Sequence, residues 1–224
     1  MTSIIYHDPA LRKEFSTLAA AALVVEGVER LTATELDPVP YLAAARARLA
    51  DTNEGGLPEI RAWRAAFAAM GLKPTQYRCA SESLLRRLRT QGDMPALHPL
   101  IDFGNAVSAA FAIPLAIFDI DHVALPMVVT YALGDEDYIT LGGEEEQPEP
   151  GEVIFCDAQF WAHSRRWTHR QSGRSAVRAS TRRALLVTEA LHEGAADDVA
   201  RVADTLTAAL KAAGAQVDRV TTVS

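Results

Sequence analysis

Two kinds of hydrophobic pattern occupy different parts of this 224-residue chain. Between residues 37 and 112, apolar residues recur at the three- and four-residue spacing of amphipathic helices. Between residues 115 and 188, they form short runs separated by turn residues, which is typical of β-strands. A chain with its helices first and its strands later lacks the regular βαβ alternation of a parallel sheet. The sequence therefore predicts an α+β fold.

Local signals place the individual elements. The first predicted helix starts at Asp37 and Pro38, an N-cap residue and a first-turn proline. Further helices are predicted at about 58–71, 81–89, 99–112 and 195–213. Strands are predicted at 18–25, 115–118, 125–133, 138–141, 153–156, 185–188 and 217–223. The glycine- and glutamate-rich segment 142–151 is predicted to be a loop.

The composition is that of a globular protein in a reducing compartment. Hydrophobic residues make up 49% of the chain, which is enough for a sizeable core. Cys79 and Cys156 form no CxxC or Cys/His cluster, which argues against a disulfide framework or a zinc site. The longest aliphatic run, residues 18–25, is too short to cross a bilayer, and the first 15 residues do not resemble a signal peptide. We therefore expect a cytoplasmic protein without a membrane partner.

Charge is distributed unevenly along the chain. The net charge of −7 counts against indiscriminate nucleic-acid binding. Residues 134–152 nevertheless contain eight acids and no base, whereas residues 158–188, here called the arginine strip, contain seven arginines and no acid. An acidic protein with one cationic strip can still bind a polyanion there, so the strip is expected to dominate any affinity for RNA.

Well-known catalytic signatures are missing from the sequence. It has no nucleophile elbow, P-loop, dinucleotide fingerprint or HExxH motif. His163 and His169 lack a third metal ligand nearby. We expect neither a cofactor nor a metal.

Two predicted helices carry polar residues that suit a binding site. The segment RCASES, residues 78–83, opens a helix whose unpaired N–H groups favour anions; the alternative is a capped surface helix with an ion pair. On the next helix, His98, Asp102 and Asn105 lie on one face. Such a face either lines a pocket or is solvated.

The strongest candidate segment is WAHSRRWTHRQ, residues 161–171. As a strand it places His163, Arg165, Trp167 and His169 on one side. Arginine beside tryptophan suits a phosphate contact next to a stacking surface. The alternative is that these arginines pair with residues 134–152, here called the acidic segment. Each exposed pair would then stabilise the fold by about 0–1 kcal/mol.

Three blocks of sequence occur in an order that is typical of one family. They are MGLKP (70–74) with SESLLRRL (81–88), HPLIDFGNAVS (98–108) with IPLAIFDID (113–121), and PGEVIFCD (150–157) with RRWTHRQS (165–172) and Thr181. In this order the chain resembles the tRNA-binding B3/B4 domain, which is found in the bacterial phenylalanyl-tRNA synthetase beta subunit and as freestanding proteins. His98 stands where an asparagine is expected before Pro99.

The resemblance covers about residues 15–195 and implies one α+β domain, 1–224, with a C-terminal helix and strand appended. The synthetase domain removes tyrosine wrongly attached to phenylalanine tRNA. Parts needed for charging have no counterpart in this sequence, so the resemblance implies editing in trans by hydrolysis of the aminoacyl ester. The implied partner is the aminoacylated 3′ end of tRNA and not DNA.

The resemblance also implies roles for single residues. Asn105, Arg165 and Asp157 are the catalytic candidates, with Asn105 orienting the amino group or the attacking water. Arg78, Arg165 and Arg166 would hold terminal phosphates or the carbonyl, and Trp167 would stack on the terminal adenine. The other substrate-binding candidates are Ser81, Glu82, His98, Asp119, His169 and Thr181.

A non-catalytic tRNA-binding or amino-acid-binding module is the alternative. An enzyme is expected to gather Asn105, Arg165 and Asp157 in one concave site. A binding module would keep the arginine strip without a closed pocket.

Overall fold

The structure, a computed structural model, describes residues 4–220. Its helices are α1 (Pro9–Glu14), α2 (Val39–Arg48), α3 (Pro58–Ala69), α4 (Ala80–Gln91), α5 (Pro99–Phe111) and α6 (Ala195–Ala212). Its strands are β1 (Ile5–His7), β2 (Ala19–Glu26), β3 (Leu115–Asp119), β4 (Met127–Tyr131), β5 (Tyr138–Ile139), β6 (Glu145–Glu146), β7 (Val153–Cys156), β8 (Ala162–Arg165), β9 (Arg170–Gln171), β10 (Arg183–Ala190) and β11 (Gln216–Val220). The predicted α+β class is confirmed.

Two sheets organise the fold. The first has the strand order β1-β4-β7-β8-β9, with β1 parallel to β4 and the other pairs antiparallel. The second has the order β11-β2-β10-β3 and is antiparallel throughout. In the second sheet, Leu185 of β10 lies between Val24 of β2 and Phe118 of β3. The short strands β5 and β6 form a separate ribbon.

The second sheet is buried on both faces. Leu185 and Val187 of β10 point into a core that joins the two sheets to α3 and α4. In this core, the rings of Trp63 and Trp167 meet edge to face with centroids 4.9 Å apart. Leu186 points to the other side, into a core that contains α5 and α6. Because side chains alternate along a strand, β10 contributes to both cores.

Helix α5 starts where the sequence predicts it. Nδ1 of His98 accepts a hydrogen bond from the Leu100 N–H at 3.2 Å, and Pro99 occupies the first turn, where no N–H is needed. Gly104 in the middle of the helix allows close packing on β3, since a Cβ atom there would lie 2.5 Å from Cδ1 of Ile117. The polar residue His98 is thus a helix cap.

Differences from the predicted elements have simple physical causes. The strand predicted at 125–133 begins only at Met127, because Pro126 has no N–H to donate to a neighbouring strand. The three-residue β1 and six-residue α1 were not predicted, since they are too short to show a period. Residues 221–223 of the last predicted strand lie outside the described residues. Within residues 4–220, no helix is both long and apolar enough to cross a bilayer.

We predict that Gly173→Ala destabilises the fold. The Gly173 N–H donates to the Ile139 carbonyl at 2.8 Å, and an added Cβ atom would collide with the backbone carbonyl of Thr140. Overpacking of this kind costs about 1–3 kcal/mol in the free energy of unfolding, which urea denaturation measures. The exposed Ser180→Ala is the control and should change this free energy by less than about 0.5 kcal/mol. Equal urea midpoints for the two variants would contradict the prediction.

Candidate functional site

A cavity of about 70 Å³ lies where the two sheets meet. Its apolar walls come from β3, β7 and β10, and Ala80 at the start of α4 closes one side. Its polar lining consists of Ser164, Thr168, His169, Arg170, Gln171 and Glu189. Glu189 is buried, whereas His169, Arg170 and Gln171 are half-buried, so these three form the side nearest to solvent.

A tight turn that the sequence pattern did not reveal shapes this cavity. The continuous strand expected over residues 161–171 is wrong, because β8 ends at Arg165 and β9 begins at Arg170. Arg166 and Trp167 have φ angles of 47° and 59°, a conformation that costs a non-glycine residue about 1–3 kcal/mol. The Trp167 N–H donates to the Val153 carbonyl at 2.6 Å, and the Ser164 hydroxyl donates to the Trp167 carbonyl. These bonds hold the turn and direct Trp167 inward.

Trp167 forms part of a buried polar network. Its indole N–H donates to Oε2 of Glu189 at 3.0 Å, and Nε2 of His7 donates to Oε1. Arg12 donates to Nδ1 of His7 at 3.1 Å, which assigns the proton of this imidazole to Nε2. Burial lowers the pKa of Arg12, and the charge of Glu189 opposes that decrease. Because the Trp167 ring is fully buried, it offers no outward face for the predicted stacking of an adenine.

His169 enters the cavity wall as a neutral imidazole. Its Nδ1 lies 2.7 Å from the Arg78 carbonyl and 3.3 Å from the Arg78 N–H. The shorter contact makes Nδ1 the donor, so Nε2 of the neutral ring is an acceptor. Burial lowers the pKa of His169, and the charges of Arg166 and Arg170 lower it further. Beside it, the buried hydroxyl of Thr168 has no hydrogen-bond partner among residues 4–220.

Arg165 is held by two glutamates from the preceding acidic segment. Its guanidinium donates to Glu152 at 2.8 and 3.0 Å and to Glu146 at 2.7 Å. Burial alone lowers the pKa of Arg165, but these bonds raise it above its usual value. Arg170 shares Glu146 at 3.1 Å. Arg165 and Arg170 therefore pair with the acidic segment, which was the alternative to a phosphate contact.

Asp157 lies in a separate buried cluster. It accepts hydrogen bonds from Nε2 of His163 at 3.1 Å and from three backbone N–H groups. Burial raises the pKa of Asp157, but these donors lower it to about 2. Because His163 donates from Nε2, its Nδ1 accepts from the Ser175 hydroxyl at 2.8 Å. Ser175 and His163 are fully buried and do not line the cavity.

The other predicted residues do not meet at the cavity. Asn105 is half-buried in the middle of α5 and is not part of the cavity lining. The buried Ser81 donates to the Ala112 carbonyl at 3.1 Å. Thr181 donates to Asp119 at 2.6 Å, and both are buried. None of the three catalytic candidates, Asn105, Arg165 and Asp157, lines this cavity.

Three further candidates lie near the start of α4. Glu82 is buried and accepts from Arg64 at 2.6 Å. Arg78 borders the cavity through its backbone contact with His169. The Arg166 guanidinium lies 4.7 Å from the centroid of the Tyr77 ring. Of the twelve predicted residues, Trp167 and His169 line the cavity.

Apart from Arg170, which belongs to the arginine strip, four polar cavity residues were not predicted: Ser164, Thr168, Gln171 and Glu189. The sequence could have indicated Glu189, because a glutamate near the end of the apolar run ALLVTEA is unusual in a buried strand. The other three follow from the turn at residues 166–169, which no local motif indicates.

One group of side chains within residues 4–220 has the proximity of metal ligands: Glu59, His192 and Asp198. Their carboxylate groups and Nε2 of His192 are already engaged, whereas Nδ1 of His192 is buried without a hydrogen-bond partner among residues 4–220. Both carboxylate oxygens of Glu59 accept from Arg48 at 2.8 Å, and His192 bonds to Asp198 at 2.8 Å. Glu59 and Asp198 are therefore held in internal ion pairs.

We predict that Arg165→Ala destabilises the protein far more than Arg170→Ala. Arg165 and Glu152 are 6% and 5% exposed, so removing the arginine leaves an unpaired buried charge at a cost of about 3–5 kcal/mol. Arg170 is 40% exposed, and its loss should cost at most about 1 kcal/mol. Urea denaturation compares the two free energies of unfolding. A loss below about 1 kcal/mol for Arg165→Ala would show that the ion pair is dispensable.

Comparisons with known proteins agree with this fold. The family model for the B3/4 domain matches residues 62–221. No curated protein matches the chain. The fold is similar to that of an N-terminal fragment of the phenylalanyl-tRNA synthetase beta-subunit from Pyrococcus horikoshii, with a TM-score of 0.58 and 14% sequence identity. The match covers 100% of this chain and 52% of that fragment, so the chain spans about half of the fragment's length. The chain belongs to the B3/4 domain family.

Proposed function

We propose that the chain hydrolyses the ester bond between an amino acid and the 3′ end of a tRNA, in trans. The observation that carries the proposal is the cavity between the two sheets, where half-buried residues lead to polar groups on the inner wall. Membership of the B3/4 family, and a fold shared with a phenylalanyl-tRNA synthetase beta-subunit fragment, support a tRNA-related role.

The reaction needs no activated nucleophilic side chain, because an aminoacyl ester is already activated. Water attacks the carbonyl carbon, the bond from that carbon to the ribose oxygen breaks, and the ribose oxygen takes a proton. The products are a free amino acid and a tRNA with a free terminal hydroxyl. The site has to orient the ester, place the water and stabilise the oxyanion.

His169 and Thr168 are suited to place the water. The neutral imidazole of His169 offers the lone pair of Nε2, which can accept the proton of the water. The unpartnered hydroxyl of Thr168 can donate to an oxyanion or accept from the water. On the inner wall, the carboxylate of Glu189 can accept a hydrogen bond from an ammonium or hydroxyl group of the amino acid.

The size of the cavity favours small amino acids. A cavity of about 150 Å³ holds one benzene molecule, and this cavity has about half that volume. An aromatic side chain would have to displace the packed rings of Phe118, Phe155 or Trp167. We therefore expect a small side chain to be preferred over tyrosine.

A binding module without turnover is the second candidate. It is favoured by the internal hydrogen bonds of Ser164, Gln171 and Glu189, which already satisfy much of the polar lining. Such a site would bind an aminoacyl group and leave its ester intact.

We predict that the protein alone releases an amino acid from at least one mischarged tRNA, with seryl or alanyl esters cleaved faster than tyrosyl esters. His169→Gln should lower the single-turnover rate constant about 10²- to 10⁴-fold, because it removes the acceptor for the water proton. Binding of uncharged tRNA should be unchanged, since an interaction made in the transition state affects turnover and not affinity. His122→Gln is the matched control, because His122 is exposed and outside the cavity.

The same assay tests Asn105. If this residue orients the amino group or the water, Asn105→Ala will lower the rate constant more than it weakens tRNA binding. Circular dichroism should show that each variant is folded. Absence of hydrolysis across a full panel of mischarged tRNAs, with tRNA binding intact, would leave the binding module as the function.

We further predict that the rate constant falls in acid with an apparent pKa below 6.5. The pKa of His169 is lowered, first by burial and then by Arg166 and Arg170, so the neutral and active form persists to a lower pH than in a free histidine. The rate should therefore be level at pH values well above that pKa and fall as the pH drops through it. Single-turnover hydrolysis, corrected for the uncatalysed reaction, measures the profile, and a limb that persists in His169→Gln would assign the titration to another group.

A further inference from the structure

We propose that the outward face of α4 binds the phosphate backbone of the RNA strand whose 3′ end enters the cavity. This inference rests on the proposed function and adds a docking surface to it. The surface, here called the α4 depression, is lined by Arg78, Ser83, Arg86, Arg87, Thr90 and Gln91. Its volume is about 230 Å³, and its lining contains three guanidinium groups and no carboxylate.

Helical spacing places these side chains on the solvent side. The opposite face of α4 is buried through Ser81, Glu82, Leu85 and Leu88. The residues of the depression lie between those positions, and Ser83, Arg86, Thr90 and Gln91 are exposed. The helix therefore presents a row of cationic and hydroxyl or amide groups that the core does not use.

The charges around α4 leave a local positive excess. Two carboxylates serve four arginines: Glu82 contacts Arg64 and Arg78, and Glu54 contacts Arg86 and Arg89. Arg87 has no ion-pair partner among residues 4–220, and its Nε atom is buried without a hydrogen bond. Five arginines against two glutamates amount to three uncompensated positive charges, in a chain whose net charge is −7.

The chemistry of the depression fits phosphodiester groups. Guanidinium groups donate in a planar fork to phosphate oxygens, and serine, threonine and glutamine side chains are common partners of a nucleic-acid backbone. The contacts to Glu82 and Glu54 from Arg78 and Arg86 are long, at 3.5 and 3.6 Å. A phosphate can therefore approach these arginines without breaking a short ion pair.

Part of the charge of the arginine strip is paired within the fold. Arg165 and Arg170 bind the glutamates of the acidic segment, and Arg174 lies over the Trp161 ring at 3.9 Å. Arg182 and Arg183 line a depression together with Arg30 and with carboxylates from three residues. The acids on that wall are Glu26, Glu29 and Asp121. The strip therefore presents less free positive charge than its sequence suggests.

The α4 depression borders the cavity directly. The side chain of Arg78 lines the depression, while its carbonyl accepts from His169 of the cavity wall. Two residues later, Ala80 lines the cavity, and its N–H donates to the Thr168 carbonyl at 2.8 Å. A strand held along α4 would thus end close to His169 and Thr168.

The test compares two double variants that remove the same charge from the 224-residue chain. Arg86→Gln/Arg87→Gln changes the α4 depression, and Arg178→Gln/Arg182→Gln changes two exposed residues of the arginine strip. Affinity for uncharged tRNA is measured over a series of salt concentrations. Arg86→Lys/Arg87→Lys keeps the charge and controls for disruption of α4, and circular dichroism checks the folding of each variant.

The α4 double glutamine variant is expected to weaken binding and to lower the log–log salt slope by about 1–2 units, since each lost phosphate contact removes about 0.7–0.9 units. The strip variant should lower the slope by less than half as much, and the lysine variant should keep a slope close to that of the wild type. Equal losses in the two glutamine variants would reduce the effect to net charge and overturn the proposal. A larger loss in the strip variant, or no tRNA binding by the wild type, would overturn it as well.

The outcomes for docking and for hydrolysis are separable. Binding uses uncharged tRNA, so a lost salt slope in the α4 variant supports docking even if no ester is cleaved. Hydrolysis by the wild type together with unchanged binding by the α4 variant would reject docking alone. Binding of inorganic phosphate that is lost in Arg86→Gln/Arg87→Gln and that leaves tRNA binding unaffected would identify a free-anion site and reject an RNA surface.

Discussion

The hydrogen bond between the Trp167 indole and Glu189 ties the two sheets together at the candidate site. Trp167 lies in the turn that follows β8 of the first sheet, and Glu189 lies on β10 of the second. A carboxylate this deep needs partners, because an unpaired buried charge would cost several kcal/mol. His7 and the Trp167 indole supply them, and Arg12 fixes the tautomer of His7. The position of the tryptophan, and with it the strained turn, depends on this network.

The strained turn at residues 166 and 167 also shapes the cavity. If β8 had continued regularly to β9, Trp167 and His169 would lie on the same side of a strand. The positive φ angles at residues 166 and 167 instead bury the tryptophan and carry Thr168 and His169 to the rim beside Ala80. Strain of this kind often accompanies functional sites, since a regular strand would not place the same groups around a cavity.

The buried Arg165 has carboxylate partners in this fold, whereas part of the exposed positive charge has none among residues 4–220. The acidic segment before β7 supplies Glu146 and Glu152 as partners for Arg165, which makes much of the arginine strip part of the structure. Around α4 the carboxylates are fewer than the guanidinium groups, and the excess faces solvent. Sequence blocks that look alike in charge therefore differ in how their charges are paired, because ion pairing depends on which distant carboxylates the fold brings near.

The sequence by itself determined the α+β class, the positions of α3 to α6 and the strands β2, β3 and β7, because these elements express local periodicity and local capping. It also predicted His169 as a site residue, and this residue lines the cavity. The tertiary structure alone decided that Arg165 pairs with Glu152 and that Asp157 accepts a hydrogen bond from His163. It also decided that Glu189 lines the cavity, from a strand position 22 residues after Trp167. These facts depend on contacts between segments far apart in the chain and on a turn with positive φ angles. Neither leaves a period or a motif in the local sequence.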